Sequence, residues 1–290
     1  MCMITSKILH ISFDLRRLLC YTYRMSYFQK GNFEFRAIYS ATTANDVFER
    51  HMHNAYELYY FIKGDADYIV GNTIYHLRPH DLLLIRPSVY HYLKLLSDAA
   101  YRRIVINFTE EELTDEVASV LSGLKTHYEI KADSLVNQYC NNCASIVDRY
   151  AETDVYPSLL RNLCLIITEL KYSGKLAEDS VLPGVIHPIL GEIIAYIDDN
   201  IDIPIDISVL SKRFFVSPSW IMHAFRKFLN ISTAEYINRK KILYAQQLIA
   251  AGVSPTKAAE ACGYKNYSTF FTRYKNIIGN TPIKSKIPKL

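Results

Sequence analysis

The chain has 290 residues, of which 50% are hydrophobic and 21% are charged, so a packed core is expected and wholesale disorder is excluded. With only 10 glycines and 10 prolines, a collagen-like or low-complexity chain is excluded as well. The formal net charge of +4 is uneven, because residues 1–183 hold 19 basic and 22 acidic residues whereas residues 184–290 hold 14 and 7. This basic last third indicates an anionic partner, with nucleic acid as the first candidate.

Residues 1–25 form the first segment. They mix Asp14, Arg16 and Arg17 with apolar residues and lack a small-residue cleavage site, which is untypical of a signal peptide. We expect a poorly ordered leader outside the folded domains. The sequence has no run of 18 or more apolar residues, so it predicts neither a membrane-spanning helix nor a membrane partner.

Residues 26–109 have a strand-like pattern. Short runs rich in Ile, Leu, Val, Tyr and Phe are separated by turn residues such as Gly71-Asn72. Strands this short and this closely spaced predict an antiparallel β-barrel, jelly roll or sandwich. The runs are Tyr56–Ile62, Tyr68–Val70, Asp81–Ile85 and Arg103–Phe108.

Residues 110–173 have a helical pattern. An apolar stripe at helical spacing includes Leu159, Leu163 and Leu170. Its partner is either the outside of the barrel or the same helix of a second copy, and we predict a dimerisation segment and a homodimer. Cys140 and Cys143 are predicted as small apolar helix residues, and six scattered cysteines suit a reducing cytoplasm. Residues 174–185 are predicted to be a linker.

Residues 186–290 contain helices with well-defined ends. Pro188 to Asn200 carries one apolar face, and a shorter helix over Ile207–Phe214 follows. Ser217 is a good N-cap for a helix to about Leu229, with Pro218 at its first position. The capping-box pattern Ser232-x-x-Glu235 then opens a helix of about 20 residues.

The arrangement of short helix, turn and cationic helix then recurs. Ser254 caps a helix to Cys262, Gly263 makes the turn, and Asn266 caps a helix to Ile278. A helix fits the DNA major groove, and two helices held apart by a rod of about 30 Å match one duplex turn of about 34 Å. The cationic side chains expected near phosphates are Arg226, Lys227, Arg273 and Lys275.

The motifs of this region resemble the AraC/XylS family of transcription regulators. The resemblance covers about 100 residues and implies sequence-specific binding to double-stranded DNA by two helix-turn-helix subdomains, with RNA polymerase as a further candidate partner. The residues that carry it are Val216-Ser217-Pro218-Ser219-Trp220-Ile221, Phe225-Arg226-Lys227, Glu235-Tyr236-Ile237, Ala261-Cys262-Gly263-Tyr264, Phe270 and Gly279-x-Thr281-Pro282.

The resemblance also assigns base-reading positions. The second unit departs from the family, which usually has Arg at the position of Thr272 and often ends in an aromatic residue and Arg where Ser285 and Lys286 stand. The positions are Ser219, Met222 and His223 in the first recognition helix and Tyr267, Ser268 and Thr272 in the second.

The N-terminal region contains a second group of chemically active side chains. Residues 51, 53 and 57 share one face of a continuous strand. His51-x-His53-x3-Glu57 resembles the first cupin motif, and His91, after Pro79-x-Asp81, resembles the second. The predicted ligand-binding residues are His51, His53, Glu57, Tyr59 and His91.

Three interpretations of this group stay open: a metal site, a metal-free pocket for a small polar ligand, and a structural cluster. The family resemblance favours the pocket and a sugar-like effector, and we predict no metal, no cofactor and no catalysis. The predicted function is a cytoplasmic, effector-responsive regulator. The alternatives are a metal-dependent cupin enzyme fused to a DNA-binding module, and a regulator whose barrel contacts a protein.

Overall fold

The structure is a computed structural model that describes residues 24–40, 48, 50–173 and 184–283. Within these residues lie ten strands and nine α-helices. The strands are β1 (Arg24–Lys30), β2 (Phe33–Ser40), β3 (Tyr56–Lys63), β4 (Ala66–Val70), β5 (Thr73–His76), β6 (Asp81–Ile85), β7 (His91–Leu95), β8 (Tyr101–Phe108), β9 (His127–Glu129) and β10 (Gly184–Val185). The α-helices are α1 (Asp115–Ala118), α2 (Leu135–Arg149), α3 (Glu152–Ser173), α4 (Pro188–Asp199), α5 (Ile207–Phe214), α6 (Pro218–Ala224), α7 (Thr233–Ala250), α8 (Pro255–Ala261) and α9 (Tyr267–Ile278).

The strands form two sheets, and every pairing is antiparallel. The larger sheet has the order β1-β2-β8-β3-β6-β9, and the smaller has the order β10-β5-β4-β7. Side chains from both sheets, including Phe61 and Leu93, share one buried cluster. The two sheets therefore enclose a core, as the predicted barrel or jelly roll requires.

Strand β3 is buried on both of its faces. Alternate side chains such as Tyr59 and Phe61 face the smaller sheet, while Leu58 and Tyr60 belong to a second core that lies against α2 and α3. This explains why its sequence is a continuous apolar run rather than an alternating pattern.

The apolar stripe of helix α3 is buried against other parts of the same chain. Leu159, Leu163 and Leu170 are fully buried in the core between the larger sheet and the helices. The stripe therefore packs on the outside of the sheet, and it is not the dimer contact that the predicted dimerisation segment 110–173 relied on. Cys140 and Cys143 are buried in α2 as free thiols, and burial raises the pKa of Cys143 to about 12.

The C-terminal helices begin where the capping residues predicted. The side chains of Ser217, Ser254 and Asn266 each accept a backbone N–H of the first helical turn. Ser232 likewise accepts the N–H of Glu235, but the Glu235 carboxylate pairs with Arg239 at 3.0 Å instead of completing the capping box. Helix α6 continues to Leu229 with the wider turns of π geometry over Phe225–Leu229.

Three short stretches differ from the sequence-based expectation. Arg24 and Met25, assigned to the leader, belong to β1 and pair with Tyr39 and Ile38 of β2. β9 lies in the segment expected to be helical, and β10 lies in the expected linker. Strands of two or three residues are too short to produce a periodic signal. Residues 1–23 and 174–183 are outside the described part of the chain. None of the described helices combines the length and apolarity needed to cross a membrane.

Candidate functional site

Helix α6 presents a polar face to solvent. The predicted base-reading residues Ser219, Met222 and His223 are all exposed, whereas Ile221 and Ala224 are buried against α4, α5 and α7. Burial of one face fixes the rotation of α6 about its axis, so the opposite face is held toward solvent. Arg226 and Lys227, predicted to contact phosphates, are exposed on the turns that follow α6.

Helix α9 is arranged in the same way in the second unit. Phe270 and Tyr274 are fully buried against α7 and α8. Tyr267, Ser268 and Thr272 are exposed, as is Lys275, while Arg273 is half-buried. Helix α7 joins the two units with 18 residues, about 27 Å of helix.

The histidine centre, defined as His51, His53, Glu57 and His91, is assembled by strand pairing. The backbones of His51 and His91 exchange two hydrogen bonds, from His51 N to His91 O at 3.2 Å and from His91 N to His51 O at 2.9 Å. This bridge sets the two imidazoles side by side, with ring centroids 4.4 Å apart. One donor atom from each of the four side chains lies within 4.8 Å of the other three.

The carboxylate of Glu57 is the buried anion of this centre. His53 Nε2 lies 3.5 Å and His91 Nε2 lies 3.7 Å from Glu57 Oε2. Burial alone would raise the pKa of Glu57, but the two imidazoles hold that pKa well below its usual range. The centre therefore provides one carboxylate and three imidazoles in a site closed to solvent at Glu57 and His91.

Two further side chains hold the carboxylate in place, and one of them, Asn107, was not identified from the sequence. The Tyr68 hydroxyl donates to Glu57 Oε1 at 2.6 Å. Asn107 lies opposite Glu57 on β8, and with its amide nitrogen turned toward Glu57 it donates to Oε2 at 3.2 Å. Asn107 lies on β8, next to β3 in the larger sheet, whereas Tyr68 lies on β4 of the facing sheet. Their positions therefore depend on how strands and sheets pack rather than on local sequence.

Tyr59, predicted to bind ligand, packs behind the centre. Its ring centroid is 4.5 Å from that of Tyr68, and its hydroxyl is hydrogen-bonded to the hydroxyl of Tyr101. Tyr68 in turn stacks on His91 at 6.2 Å. The ring of Tyr75 contacts His127 on β9. Tyr59 therefore supports Tyr68, which is the tyrosine that contacts the centre.

Side chains flanking the centre also contact the C-terminal helices. Arg50 Nη1 and the Tyr92 hydroxyl donate to the carbonyl oxygen of Phe228 at 3.2 and 3.3 Å, and the Tyr90 hydroxyl donates to that of Leu229 at 2.5 Å. The last carbonyls of a helix have no partner within it. The N-terminal domain thus caps the end of the segment that carries Arg226 and Lys227.

Contacts to α7 reinforce this junction. Lys240 is buried, pairs with Asp198 Oδ1 at 2.7 Å and donates to the Ser88 carbonyl oxygen at 2.8 Å. Gln247 donates to Asn54 Oδ1 at 2.8 Å. These N-terminal partners of α7 and of the α6 segment lie in residues 50–54 and 88–92, the two segments that also supply His51, His53 and His91. Sequence periodicity contains no signal for such contacts between domains.

Both the N-terminal and the C-terminal region match models of known protein families. Residues 36–179 match the family model of the AraC-like ligand binding domain, and residues 210–285 match that of a helix-turn-helix domain. The HTH-type transcriptional regulator YfiF of Bacillus subtilis (strain 168) is 23% identical over 246 residues, covering 80% of this chain and 76% of YfiF.

Two further proteins match. The regulatory protein SoxS of Escherichia coli (strain K12) is 27% identical over 95 residues, which cover 32% of this chain and 89% of SoxS. Among solved structures, ToxT from Vibrio cholerae O395 aligns with 88% of this chain and 97% of its own, at 15% identity and a TM-score of 0.37.

Proposed function

Since the chain belongs to the AraC family of transcription regulators, we propose that it binds specific DNA sequences through α6 and α9 under the control of a small effector held in its N-terminal domain. The observation that carries the proposal is the pair of helices whose exposed polar faces are fixed by buried opposite faces. Its place of action is the cytoplasm, where its DNA partner is.

The spacing of the two helices supports simultaneous reading of two groove segments. Helix α7 spans about 27 Å, and successive major-groove segments on one face of a duplex lie about 34 Å apart. Ser219, Met222 and His223 on α6, and Tyr267, Ser268 and Thr272 on α9, would contact base edges. The flanking Arg226, Lys227, Arg273 and Lys275 would contact phosphates and supply most of the affinity.

The effector is proposed to act at the histidine centre. The family resemblance makes a carbohydrate the first candidate, and aromatic side chains such as Tyr59 and Tyr68 are of the type that packs on sugar rings. However, Tyr59, Tyr68 and His91 are all buried, so a sugar reaches them only if the strands separate. An effector as small as a single ion could reach these side chains without separation of the strands.

The junction between the domains gives a path for control. Arg50, Tyr90 and Tyr92 bind the carbonyls at the end of the α6 segment and adjoin the ligand-binding histidines in sequence. An effector that prefers one placement of residues 50–54 and 88–92 would shift the placement of the recognition helix. It does so only to the extent that its affinity differs between the two arrangements.

We propose a binding role rather than a catalytic one for the centre, because the buried Glu57 and His91 offer no open access to a substrate. A homodimer and a contact with RNA polymerase complete the proposal, and both rest on the family resemblance. Sedimentation of the full chain tests the dimer, whose contact must lie outside the buried stripe of α3.

Selection of duplexes from a random pool by the full chain tests the main proposal. We expect an enriched sequence with two elements about ten base pairs apart, bound more weakly as salt rises. A well-folded chain that enriches no sequence over random competitor would contradict it.

A further inference from the structure

Arg103 is a cation in the N-terminal domain that has no acidic partner. It lies on β8 opposite Phe61 of β3. The carbon Cζ of its guanidinium lies 4.8, 5.3 and 5.9 Å from the ring centroids of Phe48, Tyr101 and Tyr59. We call Arg103 and these three aromatic residues the guanidinium site. Within the described part of the chain no ion pair involves Arg103, so the site has one uncompensated positive charge.

The two tyrosines of the site do not neutralise this charge. Burial raises the pKa of Tyr59 well above its ordinary value and also raises the pKa of Tyr101, so both phenols stay protonated. Arg103 Nη1 donates to the Tyr101 hydroxyl at 2.8 Å, and the two hydroxyls share one further hydrogen bond. That bond uses one of the two hydroxyl hydrogens. The other has no acceptor among the described residues, so the site has a spare O–H donor beside the cation.

The guanidinium also has a free edge. The N–H groups of Nε and Nη2 point in the same direction and match the two oxygens of a carboxylate. Nη1 is the nitrogen that Tyr101 engages, whereas Arg103 Nε is buried and has no hydrogen-bond partner among residues that the structure describes. Burying a donor without an acceptor costs free energy, which an incoming acceptor would recover.

Charge and lining indicate the class of ligand. One guanidinium balances one negative charge, and the interior of the domain already contains the buried Glu57 carboxylate, which disfavours a multiply charged anion. The rest of the site consists of the aromatic rings of Phe48, Tyr59 and Tyr101, which suit an apolar body. Arg103 is partly exposed, so a ligand reaches its guanidinium without separation of the strands.

We propose that the guanidinium site binds a small organic monocarboxylate, whose two oxygens accept from Nε and Nη2 of Arg103. The proposal rests on the proposed function only where it makes this carboxylate the effector, in place of an uncharged sugar. A path to the junction exists, because the ring of Tyr59 lies 4.5 Å from that of Tyr68, whose hydroxyl donates to Glu57 of the histidine centre.

Thermal unfolding of the full-length chain tests the site, with sodium propionate as the probe. Propionamide is the uncharged analogue of the same size, and sodium chloride keeps the ionic strength constant. We expect a saturable increase in melting temperature with propionate, because a ligand that binds only the folded state stabilises it by mass action. Propionamide should give no increase. In ¹⁵N-labelled protein the Nε–H resonance of Arg103 should shift over the same range of propionate concentration.

Arg103→Lys keeps the charge and the aliphatic stem but removes the edge with two donors. It should weaken propionate binding about 10-fold or more, the loss expected for one charge-assisted hydrogen bond. Arg102→Lys is the matched control, because Arg102 is the preceding residue of β8 and is exposed. It should respond to propionate as the wild type does.

Circular dichroism checks that each variant is folded. If Arg103→Lys does not fold, the Nε–H resonance of Arg103 in the wild type carries the test. A wild-type protein without a saturable response to propionate, or an equal response from wild type and Arg103→Lys, would overturn the site.

Operator binding by the same preparations separates the two proposals. A chain that binds its operator but no propionate refutes the carboxylate site and leaves the regulator intact. A chain that binds propionate but no specific duplex refutes the regulator and leaves the site intact. As an effector, propionate should change the operator affinity of the wild type at least about fivefold, the lower end of typical coupling between sites.

Discussion

At the scale of single residues, two exposed side chains one turn apart are assigned different tasks. His223 lies on the outward face of α6, beside Ser219 and Met222, and Arg226 follows on the next turn. A side chain that reaches base edges contributes sequence preference, whereas one that reaches phosphate contributes affinity for any duplex.

Alanine at these two positions should therefore give different results. Arg226→Ala should weaken binding to all duplexes and lower the slope of affinity against salt by about one unit, while His223→Ala should relax base preference at a cost of about 1–3 kcal/mol on the preferred site. Fluorescence anisotropy over a range of salt concentrations measures both.

The matched control is Arg149→Ala, which removes one positive charge from the end of α2 in the N-terminal region. It should leave affinity and preference nearly unchanged. Equal loss from His223→Ala and Arg226→Ala, with base preference retained, would contradict the two assignments.

At the scale of elements, α3 has two faces that are both partly apolar. Leu163 is 0% exposed against the larger sheet, whereas Leu165 is 44% exposed on the opposite side. Periodicity in the sequence identified the buried stripe but did not reveal what covers it.

Substitution of each of these two leucines by aspartate distinguishes the buried face of α3 from its exposed face. Leu163→Asp places a carboxylate without a partner in the core and should lower the free energy of unfolding by more than about 3 kcal/mol. Leu165→Asp should change it by less than about 0.5 kcal/mol. Urea denaturation followed by circular dichroism measures both, and a well-folded Leu163→Asp protein would contradict the packing of α3 on the sheet.

At the scale of the whole molecule, the two domains share a core and exchange hydrogen bonds. Met52, Tyr90 and Tyr92 belong to the same buried cluster as the residues of α4 and α6. β10 adds to the smaller sheet just before α4. The recognition unit is therefore stabilised in part by the N-terminal domain.

Removing one hydroxyl at the junction should lower the stability of the recognition unit. Tyr90→Phe leaves the carbonyl of Leu229 without its donor, at a cost of about 1–3 kcal/mol. Trp220, the single tryptophan of the chain, lies on α6 and reports local unfolding by fluorescence.

Tyr27→Phe provides the control, because that hydroxyl donates to the exposed Gln29 within β1. Its effect should stay within about 0.5 kcal/mol. If Tyr90→Phe also left the unfolding reported by Trp220 fluorescence unchanged, that result would contradict the proposed path from the histidine centre to the α6 segment.

The sequence predicts the exposed faces of α6 and α9 more completely than it predicts the histidine centre. The exposed faces of α6 and α9 follow from helical periodicity and from caps such as Ser217 and Asn266. Strand parity predicted that His51, His53 and Glu57 share one face, and they do lie together, but residues 52–55 are not part of a strand and β3 begins only at Tyr56. His91 joined the set only through a family resemblance. Asn107 was missed, because parity within one strand says nothing about the neighbouring strand.

The sequence by itself determined the helix boundaries of the last third, since a cap such as Ser254 acts on backbone groups within three residues. It also determined the family, through motifs that lie close together along the chain. Only the tertiary structure decided that His51 faces His91, that the stripe of α3 lies on the larger sheet, and that Tyr90 caps the α6 segment 139 residues away. Those contacts depend on which distant segments pack together, and the free energy that selects them comes from burial of the whole core rather than from any local pattern.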